Sequence, residues 1–345
     1  MNNVTIETVS ERAGVSKTTV SRYLNACYEH MSEKTRLRIK DTIEELGYRP
    51  NLLARNLKTK KTGLIGLIIS DISNPITATL VKGITDYCVT EGYQVVTSSS
   101  DEKSKKEEEY ILSMVDMQID GFIIGLADYN DYAVLHDLKR RGVHIVLADR
   151  TISEDIFDTV TSNNYDISHN AIEKLYELGY ERVALFSSEL LKSRVRLSRY
   201  RAFLDSSAKH VERPMELCHI VENESACIRA LRDFMDEHKG FKKAIFASTP
   251  MALLNMLAAA RELSIDIPKD LGLLGYDNLN WTRLISGGIS VIDQPFYQVG
   301  LESARLLIQR MRGEYDGPPK YIELPSRLIL RNSTKVEILK GDKDV

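Results

Sequence analysis

The sequence predicts an α-helical helix-turn-helix headpiece joined to an α/β core of two doubly wound parallel-sheet subdomains. Three observations carry this. Residues 5–25 hold two short amphipathic segments on either side of Gly14. From residue 63 onward, short apolar runs alternate with helix-length amphipathic segments, the pattern of buried parallel strands with crossover helices. Charge is also divided along the chain: residues 1–62 carry 12 Lys+Arg against 7 Asp+Glu, and the remainder 34 against 42. A basic head on an acidic body suits a polyanion-binding module attached to a domain with a different task.

The headpiece begins with Thr5 as N-cap of a helix whose Ile6, Val9 and Ala13 share one face. Gly14 supplies the turn. Ser16 caps a second helix, Lys17 to Leu24, whose Val20 and Leu24 point back at the first. The second helix of such a unit lies in the DNA major groove. Here it presents Lys17, Thr18, Thr19, Ser21 and Arg22 and runs out at Asn25: cations for phosphates or guanine edges, small hydroxyls for phosphates or thymine methyls. Taken alone, the same spacing also fits a capped helical hairpin with a solvated face. A third helix is expected from Ser32 to about Leu46, with Ile39, Ile43 and Leu46 inward, Leu37 at the rim, Arg36, Arg38 and Lys40 solvated, and Gly47 terminating it. The Arg49-Pro50 step marks the exit.

Residues 51–62 follow as either a plain linker or a hinge. Asn51, Ala54, Arg55, Leu57 and Lys58 lie in an eight-residue helical stretch, Asn51–Lys58, too short to be stable alone in water, and no acidic residue occurs from Leu46 through Ser70. In the sharper reading the stretch folds when two copies meet on DNA, its cations on phosphates and Leu57 wedged into the minor groove.

At 345 residues, 43% apolar and 28% charged, the chain has the composition of a globular protein of two or three domains. With no 18-residue apolar run and no apolar h-region at the N-terminus, no membrane partner is implied and a cytoplasmic protein is expected. Cys27, Cys88, Cys218 and Cys227 lack metal-ligand or Cys-x-x-Cys spacing, so reduced, buried thiols are expected and neither metal nor cofactor is implied.

In the core, strands are expected at Leu64–Ile69, Gln94–Val96, Gly121–Ile124, Val143–Leu147, Val183–Phe186, Ala244–Phe246 and Leu271–Leu274, with the chain crossing between subdomains near Asp158–Ser162 and Ile289–Pro295. Ligands of such sheets sit at the carboxyl ends of strands, here in a cleft between subdomains. Asn74 either turns its amide into that cleft or caps the helix that Pro75 begins. Asp149, beside Arg150, and Asp277 either cap strand ends or face a ligand. Arg194, Arg196 and Arg199 open a helix, where the macrodipole disfavours cations, so at least one is expected to face an anion across the cleft. With Arg196 alone facing in, Arg194 and Arg199 would be solvated.

Thr5–Asn25, the Glu45-Leu-Gly-Tyr-Arg-Pro-Asn51 exit, Leu53-Ala-Arg-Asn-Leu57, Ile65–Pro75, Asp120-Gly-Phe-Ile-Ile124, Leu147-Ala-Asp-Arg150, Gly179–Ala184, Ile267–Leu271, Gly275-Tyr-Asp-Asn278 and Leu324–Thr334 together resemble the lactose/galactose-repressor family of bacterial transcription regulators. The resemblance spans residues 4–334 in order. The connector Tyr28–Arg36, with Met31, is similar to the branch that includes regulators of ketodeoxygluconate use. The resemblance implies a core like that of periplasmic sugar-binding proteins. It also implies an effector contact at Arg196, a sugar-hydroxyl contact at Asp277, and Gln294 with Phe296 facing the pocket. The segment Ser248-Thr249-Pro250-Met251 departs from the family's usual Asn-Asp there, leaving Thr249 on that wall.

No His-Glu-x-x-His, Gly-x-Ser-x-Gly, Walker or Gly-x-Gly-x-x-Gly motif occurs, which argues against an enzyme. The expectation is a DNA-binding repressor of carbohydrate metabolism that acts as a homodimer on a near-palindromic operator and is controlled by a small-molecule effector, a sugar or sugar acid. The alternative is a sugar-binding protein or sugar-processing enzyme without a DNA-binding role. The expected domains are a headpiece at 1–50, a hinge at 51–62, a core at 63–334 and a tail at 335–345, the tail lacking leucine heptads for a tetramerising coil.

Overall fold

A computed structural model describes residues 4–48, 62–128, 133–152, 156–190, 193–285 and 287–335. The chain divides into two units, Met1–Thr62 and Gly63–Val345.

The first unit holds α1 (Ile6–Ala13), α2 (Lys17–Leu24) and α3 (Glu33–Leu46). Polar caps set their starts. Thr5 and Thr8 form a reciprocal capping box, Ser16 Oγ accepts from the Thr19 N–H at 3.1 Å, and Ser32 Oγ from the Thr35 N–H at 3.2 Å. Gly14 and Gly47 end α1 and α3 at φ of 58° and 59°, the left-handed region that a side chain would disfavour. Val9, Ala13, Val20, Ile39 and Tyr48 are buried between the helices, with Ile6, Leu24, Ile43 and Leu46 packed around them. Leu37 departs from expectation. It is 52% exposed, because two residues from Ile39 is more than half a turn away on α3. Cys27 is exposed as well, whereas Cys88 and Cys227 are buried. The hinge residues Asn51, Ala54, Arg55, Leu57 and Lys58 lie outside the described residues.

The second unit contains two six-stranded sheets of matching order. One runs β11-β5-β4-β3-β1-β2 and the other β12-β10-β9-β8-β6-β7. The first comprises β1 (Leu64–Ile69), β2 (Gln94–Ser99), β3 (Gly121–Ile124), β4 (His144–Ala148), β5 (Asp158–Ser162) and β11 (Tyr321–Leu324). The second comprises β6 (Arg182–Ser187), β7 (Cys218–Ile220), β8 (Lys243–Ala247), β9 (Gly272–Tyr276), β10 (Ser290–Asp293) and β12 (Arg327–Ile329). Every pairing is parallel except β10 with β12. The chain crosses from one sheet to the other after β5, after β10 and between β11 and β12. The first two crossings match the expected positions. The third, like the edge strand β7, carries no long apolar run: these strands have three or four residues and are only part-buried.

Helices cover the sheets: α4 (Thr77–Thr90), α5 (Ser104–Asp116), α6 (Ala133–Arg140), α7 (Asn164–Glu177), α8 (Arg194–Ser207), α9 (Glu224–Glu237), α10 (Pro250–Glu262) and α11 (Phe296–Arg312). The helices α4 and α11 touch backbone to backbone. A Cβ on Gly83 would run into the Tyr297 carbonyl, and one on Gly300 into the Leu80 carbonyl. Near the crossings, Arg310 makes a bidentate pair with the buried Asp158 at 2.7 and 2.8 Å and also donates to the Gly317 and Pro318 carbonyls. That network fixes the end of α11 to β5.

Candidate functional site

The strand ends of the two sheets enclose a cavity of about 80 Å³ lined by Asn74, Asp149, Arg150, Arg196, Thr249, Asp277, Gln294 and Phe296, all eight cleft residues named from the sequence. Its geometry repeats between subdomains. Asp149 follows β4 at φ 67° and donates its N–H to Val160 O at 2.8 Å; Asp277 follows β9 at φ 72° and donates to Ile292 O at 2.8 Å. A left-handed aspartate ends the equivalent strand in each half, a conformation uncommon outside glycine, asparagine and aspartate.

Burial pushes the Asp149 carboxyl up, against the pull of Arg150, Arg199 and Arg196. Asp277 is pushed up to about 6, chiefly by burial and further by Asp149, despite Arg199 nearby and the Gln294 amide that donates to it at 2.6 Å. Gln294 Oε1 in turn accepts from Ser162 Oγ at 2.6 Å, so the amide's orientation is fixed from both subdomains.

The three arginines at the start of α8 have different fates. Arg196 Nη2 lies 2.8 Å from Glu102 Oε1, and the same oxygen accepts from Arg150 Nη2 at 2.6 Å. The anion expected opposite Arg196 is thus present, and it is one of the protein's own side chains. Burial tends to raise the Glu102 carboxyl, but the two guanidiniums outweigh it and hold it below the ordinary range. Arg199 is not solvated, contrary to the bland reading of this turn. It is buried, donating to Asn164 Oδ1 at 3.0 and 2.9 Å and to Ser248 O at 2.7 Å, and it lies 3.5 Å from the centre of the Tyr276 ring. Arg194 is exposed and borders a second, larger hollow with Arg201, Tyr321 and Glu323.

Two polar residues are already partly committed. Asn74 Oδ1 accepts from the Ile76 N–H at 3.3 Å, a local turn bond made while the residue lines the cavity. Thr249 caps α10 through the Ala252 N–H at 3.1 Å and bonds Ser188 Oγ at 3.0 Å. Sequence reasoning missed Glu102 and Asn164. The signal for Glu102 was its place just past β2, since the other strand ends carry the cleft groups; its surroundings Ser99-Ser-Asp-Glu-Lys103 look like an ordinary polar turn.

In the first unit, Thr18, Arg22 and Asn25 are exposed and Ser21 half-buried on one stripe of α2, opposite Val20 and Leu24. Thr5 caps α1, and the Ser16 and Thr19 hydroxyls lie 2.8 Å apart at the start of α2. Lys17 Nζ is 2.5 Å from Glu7 Oε1, both more than half exposed; such a pair is worth under about 1 kcal/mol and leaves the lysine available.

Residues 5–51 match the family described as bacterial regulatory proteins, lacI family, and residues 172–334 match the periplasmic binding protein-like domain. The HTH-type transcriptional regulator KdgR of Bacillus subtilis (strain 168) is 33% identical over 333 residues, covering 96% of this chain and 98% of that protein. The chain belongs to the lacI family. That agrees with the branch read from its connector. Among solved structures, the transcriptional regulator CelR in complex with cellobiose is 26% identical with a TM-score of 0.70, covering 95% of this chain and 99% of that one. The lac repressor dimer bound to operator and the anti-inducer ONPF shares the fold, at a TM-score of 0.82 and 22% identity over 97% and 100% of the two chains. This lacI-family protein is therefore a DNA-binding transcription regulator with an effector-binding core, and not an enzyme. Among its described residues, no helix is long and apolar enough to cross a membrane.

Proposed function

We propose that this protein is a cytoplasmic, homodimeric repressor whose operator affinity is set by a carboxylate-bearing sugar derivative in the cleft between its two sheets. The observation that carries the effector class is the convergence of Arg150 and Arg196, from opposite walls, on a single carboxylate oxygen. Paired guanidinium arms recognise an anion by charge-assisted hydrogen bonds, which a neutral sugar does not use fully. Asp149, Asp277 and Gln294 line the same cavity as hydrogen-bond partners for hydroxyls, with Phe296 as an apolar wall. A neutral sugar is the second reading; the CelR relative holds cellobiose.

In this reading residues 1–50 bind DNA. The α2 stripe of Thr18, Ser21, Arg22 and Asn25 faces base edges with Lys17, while Thr5, Ser16 and Thr19 serve the phosphates next to their caps. Residues 51–62, with Asn51, Ala54, Arg55, Leu57 and Lys58, act as hinge and minor-groove wedge. An effector touching both subdomains binds the closed cleft more tightly than the open one, and that differential contact is what shifts a DNA-competent equilibrium.

Operator titration of Arg196→Ala, with and without a carboxylate effector identified by thermal-shift screening, tests this. The variant is expected to bind operator within a few fold of the parent and to lose its response to the effector. Full retention of the response would overturn the role of Arg196.

A further inference from the structure

The cavity that would take a six-carbon acid has Arg150 and Arg196 on its lining. The part of the cleft where such an acid would place its carboxylate is already filled. Glu102 belongs to the turn between β2 and α5, and that turn is anchored in the first subdomain. The Glu102 N–H donates to Ser70 O at 2.8 Å, and Asp101 is held by Ser99 Oγ at 2.8 Å and by Lys106 at 2.5 Å. Asp101 and Glu102 are both left-handed, at φ 52° and 55°. Two consecutive non-glycine residues in that region represent stored strain, and here it aims one side chain into the cleft.

From this turn the carboxylate reaches Arg150 of its own subdomain and Arg196 of the other. Each guanidinium has one arm on Glu102 and another on a backbone carbonyl: Arg150 on Leu126 O at 3.0 Å, Arg196 on Glu189 O at 3.1 Å. The two arms on Glu102 are the ones an incoming carboxylate would use. Both carboxylates cannot share them without placing like charges side by side.

We propose that Glu102 is a tethered occupant of the anion subsite formed by Arg150 and Arg196, bridging the two subdomains and competing with any carboxylate effector. A carboxylate ligand must expel Glu102 and so moves the β2–α5 turn, whereas a neutral polyol leaves Glu102 in place. The anion subsite stands on the geometry alone. The part concerning a sugar acid rests on the effector class proposed above.

Hydrogen exchange of the full-length protein, measured over residues 97–104 and 193–199, tests the subsite without knowledge of the natural effector. Glu102→Ala should exchange faster in both segments than the parent. Acetate should slow that exchange by refilling the subsite, while acetamide, of the same shape and no charge, should not. Unchanged exchange in the variant, or equal rescue by acetamide, would overturn the subsite. Calorimetry with D-gluconate and D-glucitol then tests competition, using Glu102→Gln to preserve volume and fold. Gluconate should bind the variant at least tenfold more tightly than the parent, and glucitol within about twofold. Equal gluconate affinity for parent and variant would overturn the competition. Acetate rescue together with no gluconate binding to either protein would leave the subsite standing and remove the sugar-acid reading instead.

Discussion

Asp149 and Asp277 sit at equivalent strand ends, buried, each costly as a charge. The nearby cation they share is Arg199, itself held in place by Asn164, Ser248 and the Tyr276 ring. Because the Asp277 carboxyl is raised to about 6 in the folded chain, the folded state holds its proton more tightly than the unfolded state does. Its contribution to stability is therefore fully present below the ordinary aspartate range and is lost as pH rises from about 4 through 6. Asp277→Asn keeps an acceptor for Gln294 and removes the charge. The variant should gain on the parent by roughly 1–3 kcal/mol between pH 4 and 7, read as the difference between their urea-unfolding free energies across that range. A difference that does not vary with pH would show that Asp277 titrates as an ordinary carboxyl.

At the scale of elements, the packing of α4 on α11 positions one wall of the cleft. Phe296 opens α11, and Asn74 to Thr77 lead into α4; both line the cavity, and these two helices meet through Gly83 and Gly300. Alanine at position 300 would gain about 0.5–1 kcal/mol of helix propensity over glycine. Against that, its methyl meets the Leu80 carbonyl, a backbone atom that moves only if α4 moves, and overpacking of this kind costs about 1–3 kcal/mol. The clash should win. Gly300→Ala is expected to lower the unfolding free energy by about 1–2 kcal/mol and to weaken effector binding, measured by urea unfolding and calorimetry. Stability equal to or above the parent's would mean that the two helices separate freely.

For the whole molecule, the homodimer proposed above has a candidate surface at the edge of the second sheet. Ile220 on β7 and Met251 and Leu254 on α10 are 41%, 55% and 43% exposed, and Asn255 Nδ2 reaches Val221 O at 3.5 Å, setting α10 beside that edge. A twofold partner would cover these apolar side chains, and paired headpieces are what a near-palindromic operator requires. Met251→Asp combined with Leu254→Asp should sediment as a monomer. It should lose at least tenfold in affinity for a full operator while changing little on a half-site. A dimer of parental affinity would place the interface elsewhere.

Local chemistry alone made much of this protein legible. Capping hydroxyls at Thr5, Ser16 and Ser32 and glycines at 14 and 47 mark the helices of the first unit, because a cap acts within four residues of chain. Continuous apolar runs announced the central strands because strands buried on both faces have no polar positions to hide them. The strand-end rule points to Asp149, Arg150 and Asp277 from the sequence alone. Beyond that reach, tertiary structure decided. The edge strands β7, β11 and β12 are short and half-exposed, so pairing and not pattern defines them. Arg199 and Arg196 stand three residues apart on one helix, yet one is locked into Asn164 and Ser248 and the other turns to Glu102. Nothing in the local sequence distinguishes them, because Asn164, Ser248 and Glu102 lie 35 to 94 residues away from the arginines they bind. Glu102 itself looks like part of a solvated turn. Only the packing of one subdomain against the other brings it between two arginines.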